Sequence, residues 1–179
     1  MLWAILKFMI EVNIETLMVG MPPSPSVIIL RPINAETDAA AEQLVLPIWI
    51  GPSEAAAIGV ALEGAPHQRP MTHDLLATML KAMDGNVESI LINRVEGSTF
   101  YAKVLLTKDG QTTEIDARPS DSIALALRMQ APLFVDEAVM EQAALPYLTG
   151  QASEQEIQAE LAEFQSFLEN VQPEDFQES

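Results

Sequence analysis

The clearest local pattern in the chain is an alternation of apolar and polar residues near its beginning. Ile10, Val12 and Ile14 are separated by polar residues, which is the two-residue period of a half-buried strand. We therefore predict a first strand over 10–19. After a turn that is rich in proline and glycine, a second β-branched run over 27–32 is predicted to complete a hairpin.

The rest of the first 150 residues alternates between strand-like and helix-like segments. Further strands are predicted at 44–50, 87–95, 99–107, 112–117 and 133–135. Helices are predicted at 52–63, 74–83 and 119–129, with Thr72 as the N-cap and Gly85 as the C-cap of the second helix. The three successive strands predict an antiparallel meander. The expected fold class is α/β of the α+β kind: one compact domain with a mixed, largely antiparallel sheet and helices packed on it.

A different pattern follows the predicted domain. Ile157, Leu161, Phe164 and Leu168 recur at three- and four-residue spacing within an acidic segment, which predicts an amphipathic helix with an acidic outer face. Its apolar stripe needs a partner. Packing against its own domain or a neighbouring subunit is the simpler explanation, and docking of another protein on this helix is the alternative.

The first ten residues are apolar but do not predict a membrane span. Lys7 interrupts them and Glu11 follows, so the run is too short to cross a bilayer, and it lacks the features of a secretory signal. We expect a cytoplasmic protein that does not bind membranes, with translation starting at Met1 or at Met9. The predicted organisation is an N-terminal extension at 1–8, a domain at 9–150 and an acidic helical tail at 151–179.

Composition and charge narrow the candidate functions. The chain has no cysteine, which excludes disulfides, thiolate zinc sites and a cysteine nucleophile. Nine basic residues oppose 26 acidic ones, for a net charge of -17, and most of the acidity follows Arg128, the last basic residue. Phosphate neutralisation supplies most non-specific affinity for nucleic acids. Any site for nucleic acid in this chain must therefore be confined to a small part of its surface.

Five segments, taken in order, carry a resemblance to a known family. They are LPIWIG (46–51) followed by Glu54-Ala55, ALEG (61–64), RPMTHDLL (69–76), TFYAKV (99–104) and EIDARPSDSIALALR (114–128), which includes DARPSD. This succession resembles the bifunctional nuclease family over about half of the chain. The resemblance implies a compact α/β fold that usually forms homo-oligomers, and a reported ability of some members, plant proteins included, to degrade both RNA and DNA.

The DARPSD segment holds the candidate catalytic groups. Asp116 ends a predicted strand and Asp121 lies in the first turn of the next helix, so we expect the turn to bring both carboxylates together as a Mg²⁺ or Mn²⁺ site. Arg118 can bind a phosphate, and the amides of 120–122 can cradle an anion. The structural alternative is that Arg118 pairs with an aspartate and that Ser120 or Asp121 caps the helix.

Four further residues complete the candidate site. His73, at a predicted helix start, is a candidate general base or metal ligand, or a residue that only caps or packs. Tyr101 and Lys103 share a strand face and can stack a base and bind a phosphate, or they can simply be solvated. Arg69 is either a phosphate contact or part of a loop salt bridge.

Two functional hypotheses follow. The first is a nuclease of low sequence specificity that hydrolyses RNA and/or DNA phosphodiesters, depends on a divalent metal and uses no organic cofactor. Nucleic acid would then be a transient substrate. The second is a non-enzymatic, oligomeric interaction or regulatory module with the same fold, in which the acidic C-terminal helix binds a protein partner. Under both hypotheses we expect a homo-oligomer, with a dimer favoured.

Overall fold

The alternating and β-branched segments form strands, and the segments that begin with proline or a polar residue form helices. The computed structural model describes residues 9–20, 24–33, 44–64 and 69–147. The strands are β1 (Met9–Met18), β2 (Ser26–Pro32), β3 (Leu44–Ile50), β4 (Asn86–Glu96), β5 (Thr99–Lys108), β6 (Gln111–Ala117), β7 (Leu133–Asp136) and β8 (Leu145–Pro146). The helices are α1 (Pro52–Glu63), α2 (Thr72–Ala82), α3 (Pro119–Met129) and α4 (Glu137–Ala143).

The strands form one sheet in the order β6-β5-β4-β7-β1-β2-β3-β8. All neighbouring strands are antiparallel except β4 and β7, so the predicted meander β4-β5-β6 and the predicted hairpin β1-β2 are both confirmed. The short strand β7 lies between these two groups. Its Val135 pairs with Ile92 on one side and with Ile10 on the other, which makes the sheet continuous.

The core lies between one face of the sheet and the helices. Ile28, Leu46, Ile90 and Ile92 project from the strands and are fully buried, and Ile123 of α3 is buried with them. Helix α3 packs on β4 and β5, while α1 packs on β2. The predicted fold class, a mixed and mostly antiparallel sheet with helices packed on it, is confirmed.

Several local predictions were wrong. The N-cap of α2 is Met71 rather than Thr72, because Asp74 Oδ2 accepts the Met71 backbone N–H at 2.8 Å. The C-cap is Met83 rather than Gly85. Asp84 takes the left-handed conformation at φ 58°, where it ends the helix. Helix α4 and strand β8 were not predicted, because both are shorter than the windows in which periodicity can be recognised.

The contacts divide the chain into two units, Met1–Pro146 and Tyr147–Ser179, and the fold described above is that of the first. The predicted extension at 1–8 and the predicted amphipathic helix at 153–170 lie outside the described residues. Within the described ranges, none of the helices is both long and apolar enough to cross a membrane.

Candidate active site

The first turns of three helices meet beside the sheet and bring four charged or titratable side chains together. Glu54 lies in the first turn of α1, His73 in that of α2, and Asp121 in that of α3, which follows the N-cap residue Arg118. Helix α3 packs against both α1 and α2. Glu54, His73, Arg118 and Asp121 form a continuous set of contacts that we call the junction network.

Arg118 is the central cation of the junction network. Its Nε lies 2.7 Å from Asp121 Oδ2 and its Nη2 3.2 Å from Asp121 Oδ1, which is a bidentate pair. Its Nη1 lies 3.1 Å from Glu54 Oε1, and Ser53 Oγ donates to Glu54 Oε2 at 2.9 Å. The Arg118 side chain is nevertheless 65% exposed, so an anion in solvent can approach it.

His73 joins the network from the opposite side of Asp121. Its Nε2 lies 3.2 Å from Asp121 Oδ1, and its side chain is only 14% exposed. A carboxylate oxygen can only accept this hydrogen bond, so the neutral imidazole carries its proton on Nε2 and Nδ1 is left as the basic nitrogen. A carboxylate that fixes the tautomer of a histidine in this way is the arrangement used in general acid–base catalysis.

The network keeps its carboxylates ionised. Partial burial raises the pKa of Asp121, but the hydrogen bonds from Arg118 and His73 outweigh burial and hold this pKa below its ordinary value. The backbone hydrogen bond of Glu54 and the hydroxyl of Ser53 lower the pKa of Glu54 in the same direction. Hydrogen bonding to Asp121 raises the pKa of Arg118. At neutral pH the network therefore holds two carboxylates and one guanidinium.

Asp116 does not join Asp121, contrary to the expected convergence of the two carboxylates. Ala117 pairs with the fully buried Ala102, whereas Asp116 pairs with Lys103 on the other face of the sheet, because successive strand residues point to opposite sides. Asp116 is exposed, and none of the hydrogen bonds or ion pairs of Asp121 involves it. Among the residues that the structure describes, no three His, Asp or Glu side chains are grouped as metal ligands.

The start of α3 is held by its backbone and by a serine, not by the predicted caps. The N-cap residue is Arg118 and its side chain does not cap the helix, so the structural alternative was wrong in assigning the cap to Ser120 or Asp121, whereas its pairing of Arg118 with an aspartate is present. The amide and the hydroxyl of Ser122 both contact the Arg118 carbonyl oxygen at 3.0 Å. Ser120 and Ser122 are buried, and the Ser122 amide of the predicted anion cradle at 120–122 is already used by the Arg118 carbonyl oxygen.

Tyr101 and Lys103 share a face of β5, as predicted, but it is the face that carries Asp116. Lys103 Nζ lies 2.6 Å from Glu114 Oε2, and the Arg94 guanidinium lies 4.0 Å from the centre of the Tyr101 ring. Tyr101 and Lys103 lie on the side of β5 opposite to the buried Ala102 and Val104, and the contacts within the junction network involve neither of them. Their predicted contacts with substrate stay predictions.

Arg69 lies on the rim of an open cleft of about 450 Å³ beside α2. Arg128 lies in the wall of this cleft and pairs with Asp74. It also donates to the carbonyl oxygens of Ala57 at 3.1 Å and Ala124 at 2.8 Å. These contacts were not predicted from the sequence. Arg128 is 8% exposed and thus ties α3 to both α1 and α2. The proposed roles of Arg69 are untested by this geometry.

Sequence reasoning also missed Glu54 as a member of the network. The available signal was weak, since an acidic residue in the first turn of a proline-initiated helix is usual for electrostatic reasons alone. Its contact with Arg118 joins residues 64 positions apart. No local pattern predicts such a pair.

Comparisons with known proteins identify the family of the domain that contains this site. The profile of the family described as "Bifunctional nuclease domain" matches residues 37–148, which contain the whole junction network. An uncharacterised protein of Mycobacterium tuberculosis is 36% identical over 170 residues, covering 93% of this chain and 97% of that protein.

Plant proteins with an assigned name are more distant. "Bifunctional nuclease 2" of Oryza sativa subsp. japonica is 27% identical over 120 residues, or 65% of this chain and 35% of the rice protein. "Bifunctional nuclease 1" of Arabidopsis thaliana is 26% identical over 97 residues, or 52% and 30%. The chain thus spans about a third of the length of these plant relatives. The family match over residues 37–148 and the mycobacterial relative together show that the chain belongs to the bifunctional nuclease domain family.

Proposed function

We propose that this protein is a phosphodiesterase of low sequence specificity that hydrolyses RNA and/or DNA at the junction network. The observation that carries the proposal is the hydrogen bond between His73 and Asp121 beside the exposed guanidinium of Arg118. It supplies an oriented base next to a phosphate-binding cation, inside the domain that the plant bifunctional nucleases share. The names of the plant relatives suggest nucleic acid as the substrate class, and the contacts of the junction network suggest His73, Asp121 and Arg118 as the residues that act on it.

In the proposed reaction, His73 acts as the general base. Its Nδ1 takes a proton from a water molecule, the water oxygen attacks phosphorus, and the bond from phosphorus to the leaving ribose oxygen breaks. The imidazolium then returns its proton to that leaving oxygen. Asp121 accepts the Nε2 hydrogen bond at 3.2 Å, so it holds the ring in place and stabilises the positive charge that develops on it.

Arg118 is proposed to stabilise charge on the phosphate oxygens. Three of its nitrogens already contact carboxylate oxygens, so its orientation is fixed before substrate arrives. A fixed donor costs little reorganisation when negative charge develops in the transition state. Loss of one such interaction typically lowers kcat about 100- to 1,000-fold.

A resident Mg²⁺ or Mn²⁺ does not fit the donor set in this arrangement. Both oxygens of Asp121 accept hydrogen bonds from Arg118 or His73, and Asp116 lies on the other face of the sheet. An ion at Asp121 would lie next to the guanidinium of Arg118, which repels it, and Glu54 pairs with the same guanidinium. The proposed reaction therefore uses only side chains of this chain, and the predicted metal dependence stays a prediction that cleavage with Mg²⁺, Mn²⁺ or EDTA tests.

The second candidate function is a non-enzymatic interaction module, in which the junction network only fastens three helices. It is favoured by the pairing of every carboxylate oxygen of Asp121 and by the net charge of -17. The two candidates make opposite predictions for substitutions that spare the fold.

The test is cleavage of fluorescent single-stranded RNA and DNA by highly purified protein, with Mg²⁺, with Mn²⁺ and with EDTA. We expect cleavage by the wild type and a loss of at least roughly 100-fold in His73→Ala, Asp121→Asn and Arg118→Ala. Arg31→Ala is the matched control, because Arg31 also pairs with a carboxylate, Glu15 at 3.6 Å, but on the β1-β2 hairpin.

Each variant is checked by circular dichroism and thermal melting before its activity is compared. Equal rates in the wild type, the control and all three folded site variants would reject the junction network as the catalytic site. If all of these proteins cleave only at the background rate, the result would favour the interaction module. Activity that persists in EDTA would remove the predicted metal dependence, and activity restored only by Mg²⁺ or Mn²⁺ would support it.

A further inference from the structure

The open cleft of about 450 Å³ beside α2 is lined by residues from three helices. Its walls include Val60 of α1, Asp74 of α2 and Arg128 of α3. The described residues that line it include none of the four members of the junction network. Arg128 follows Asp121 by seven residues, which is about 10 Å along a helix. The cleft is therefore a separate place in which a ligand can bind.

Arg128 has one donor that the fold does not use. Its side chain is only 8% exposed. Nε pairs with Asp74 and Nη1 donates to two backbone carbonyl oxygens, whereas the buried Nη2 has no hydrogen-bond partner among the described residues. A buried donor without a partner costs about 1–3 kcal/mol, and more when it is charged. An acceptor from outside the fold would remove this cost.

A comparison with Arg118 shows which edge of the Arg128 guanidinium is open. Arg118 binds Asp121 with both Nε and Nη2, which together form one edge of a guanidinium. Arg128 uses only Nε of this edge, because Oδ2 of Asp74 accepts the Met71 backbone N–H instead. Asp74 and Arg128 both line the cleft, so the open position belongs to the cleft wall.

The charges of the cleft differ in sign from those of the whole chain. Arg69 is exposed on the rim, and no described residue forms an ion pair with it. Arg69 and Arg128 oppose Asp74 in the lining, which leaves one excess positive charge in a chain with a net charge of -17. The remaining lining is mainly apolar and includes Val60 and Leu127. The cleft thus combines a local cationic site with an apolar wall.

We propose that this cleft binds an organic monocarboxylate with an apolar body. One carboxylate oxygen accepts from Arg69 and the other from Nη2 of Arg128, while the apolar body lies against Val60 and Leu127. The cleft volume is within the range of roughly 300–1,000 Å³ found for small-molecule sites. The proposal does not rest on the proposed nuclease activity.

Charge favours a carboxylate over a phosphate in this cleft. A carboxylate carries one negative charge, which equals the excess of the lining. A phosphate monoester carries about -1.5 to -2 at neutral pH, and the additional charge would face the carboxylate of Asp74. An apolar molecule without an anionic group would leave both arginine donors unused.

The experiment is a titration of the ¹⁵N-labelled full chain, followed by two-dimensional NMR. The probes are 3-phenylpropanoate, its neutral amide, 2-phenylethyl phosphate, and acetate, which lacks the apolar body. We expect 3-phenylpropanoate to shift the amides of the cleft saturably, and each of the other probes to bind at least roughly 10-fold more weakly.

Three variants test the assigned residues with 3-phenylpropanoate. Arg69→Ala should weaken binding at least roughly 10-fold, and Arg128→Lys, which keeps the charge but lacks Nη2, should do the same. Arg94→Ala is the matched control, because it removes the same charge from a side chain on β4 that is 50% exposed, and it should bind as the wild type does. Thermal melting establishes that each variant is folded at the temperature of the titration.

Four results would overturn the proposal. The first is no saturable binding of 3-phenylpropanoate by the wild type up to about 10 mM, which would mean that water alone completes Nη2. The second is equal or tighter binding of the amide or of acetate, and the third is equal or tighter binding of the phosphate. The fourth is unchanged binding in Arg69→Ala, which tests the site even if Arg128→Lys does not fold.

Discussion

Two arginines at the helix junction are expected to give opposite results when they are substituted. Arg128 is 8% exposed and pairs with Asp74, and it also donates to backbone carbonyl oxygens of α1 and α3. Arg118 is 65% exposed and pairs with Asp121 and Glu54. We predict that Arg128→Met strongly lowers the free energy of unfolding and has little direct effect on cleavage. Arg118→Ala should strongly lower the cleavage rate and have little effect on the free energy of unfolding.

The magnitude for Arg128 follows from its contacts. Methionine keeps much of the apolar stem but removes the hydrogen bonds to Ala57 and Ala124 and the ion pair with Asp74. Hydrogen bonds that involve a charged group are worth about 1.5–3 kcal/mol each, and breaking a buried ion pair costs about 3–5 kcal/mol. Asp74 is 30% exposed, so water compensates part of this loss. We expect a decrease of about 3 kcal/mol in the free energy of unfolding.

The magnitude for Arg118 is much smaller. Exposed ion pairs contribute about 0–1 kcal/mol because water and salt screen them, so Arg118→Ala should lower the free energy of unfolding by less than about 1 kcal/mol. Its effect on cleavage should instead be at least roughly 100-fold.

Urea unfolding followed by circular dichroism measures both variants against the wild type, and thermal melting gives an independent check. A loss of about 3 kcal/mol corresponds to a melting temperature about 6–12 °C lower for a chain of this size. If Arg128→Met unfolds within about 0.5 kcal/mol of the wild type, the pairing of Arg128 with Asp74 does not fasten the three helices as we infer.

Three further predictions concern stability. The pKa of Asp121 is lowered in the folded state. Its ionised form therefore stabilises the fold above the unfolded Asp pKa of about 3.9, and this stabilisation is lost as the pH falls through the lower folded pKa. In urea unfolding, the stability difference between the wild type and Asp121→Asn should therefore shrink below about pH 4. Ile123 is fully buried, so thermal melting should show a loss of about 2–4 kcal/mol for Ile123→Ala but only about 1 kcal/mol for Ile123→Val. Gln130 ends α3 in the left-handed conformation, at φ 55°. Gln130→Gly should raise the free energy of unfolding by about 0.5–1 kcal/mol, because glycine adopts this conformation without a Cβ clash. An unchanged or lower melting temperature would contradict this prediction.

The strands could be predicted from sequence because each is a local pattern, but their order could not. Alternation marked β1, and turn residues separated β4, β5 and β6. By contrast, the position of β7 depends on pairing with Ile90 and Ile10, more than 40 and 120 residues away. Only the packing of the complete core selects that arrangement, since no property of the four residues of β7 distinguishes a parallel from an antiparallel neighbour.

The candidate site was predictable to the same limited degree. The DARPSD segment contains Arg118 and Asp121, which do contact each other, and the position of His73 at a predicted helix start makes it a candidate. That His73 contacts Asp121, 48 residues away, is a consequence of how α2 packs on α3. The placement of Asp116 was wrong for a different reason: Asp116 is still part of β6, and one step along a strand moves a side chain to the opposite face, so Asp116 points away from the side on which Ala117 lies.

Under the proposed function, the position of Arg118 between two carboxylates has an energetic consequence. A phosphate that approaches this guanidinium must compete with Glu54 and Asp121, and it meets a chain with a net charge of -17, so the ground-state complex should be weak. As water attacks the phosphate, charge on its oxygens grows and the interaction with Arg118 strengthens. An enzyme that binds the transition state more strongly than the substrate uses its binding energy to accelerate the chemical step. Equal binding of both would only increase occupancy of the site. The acidity of the chain therefore argues against a nucleic-acid-binding protein that retains its ligand, but it is compatible with an enzyme that releases its products readily.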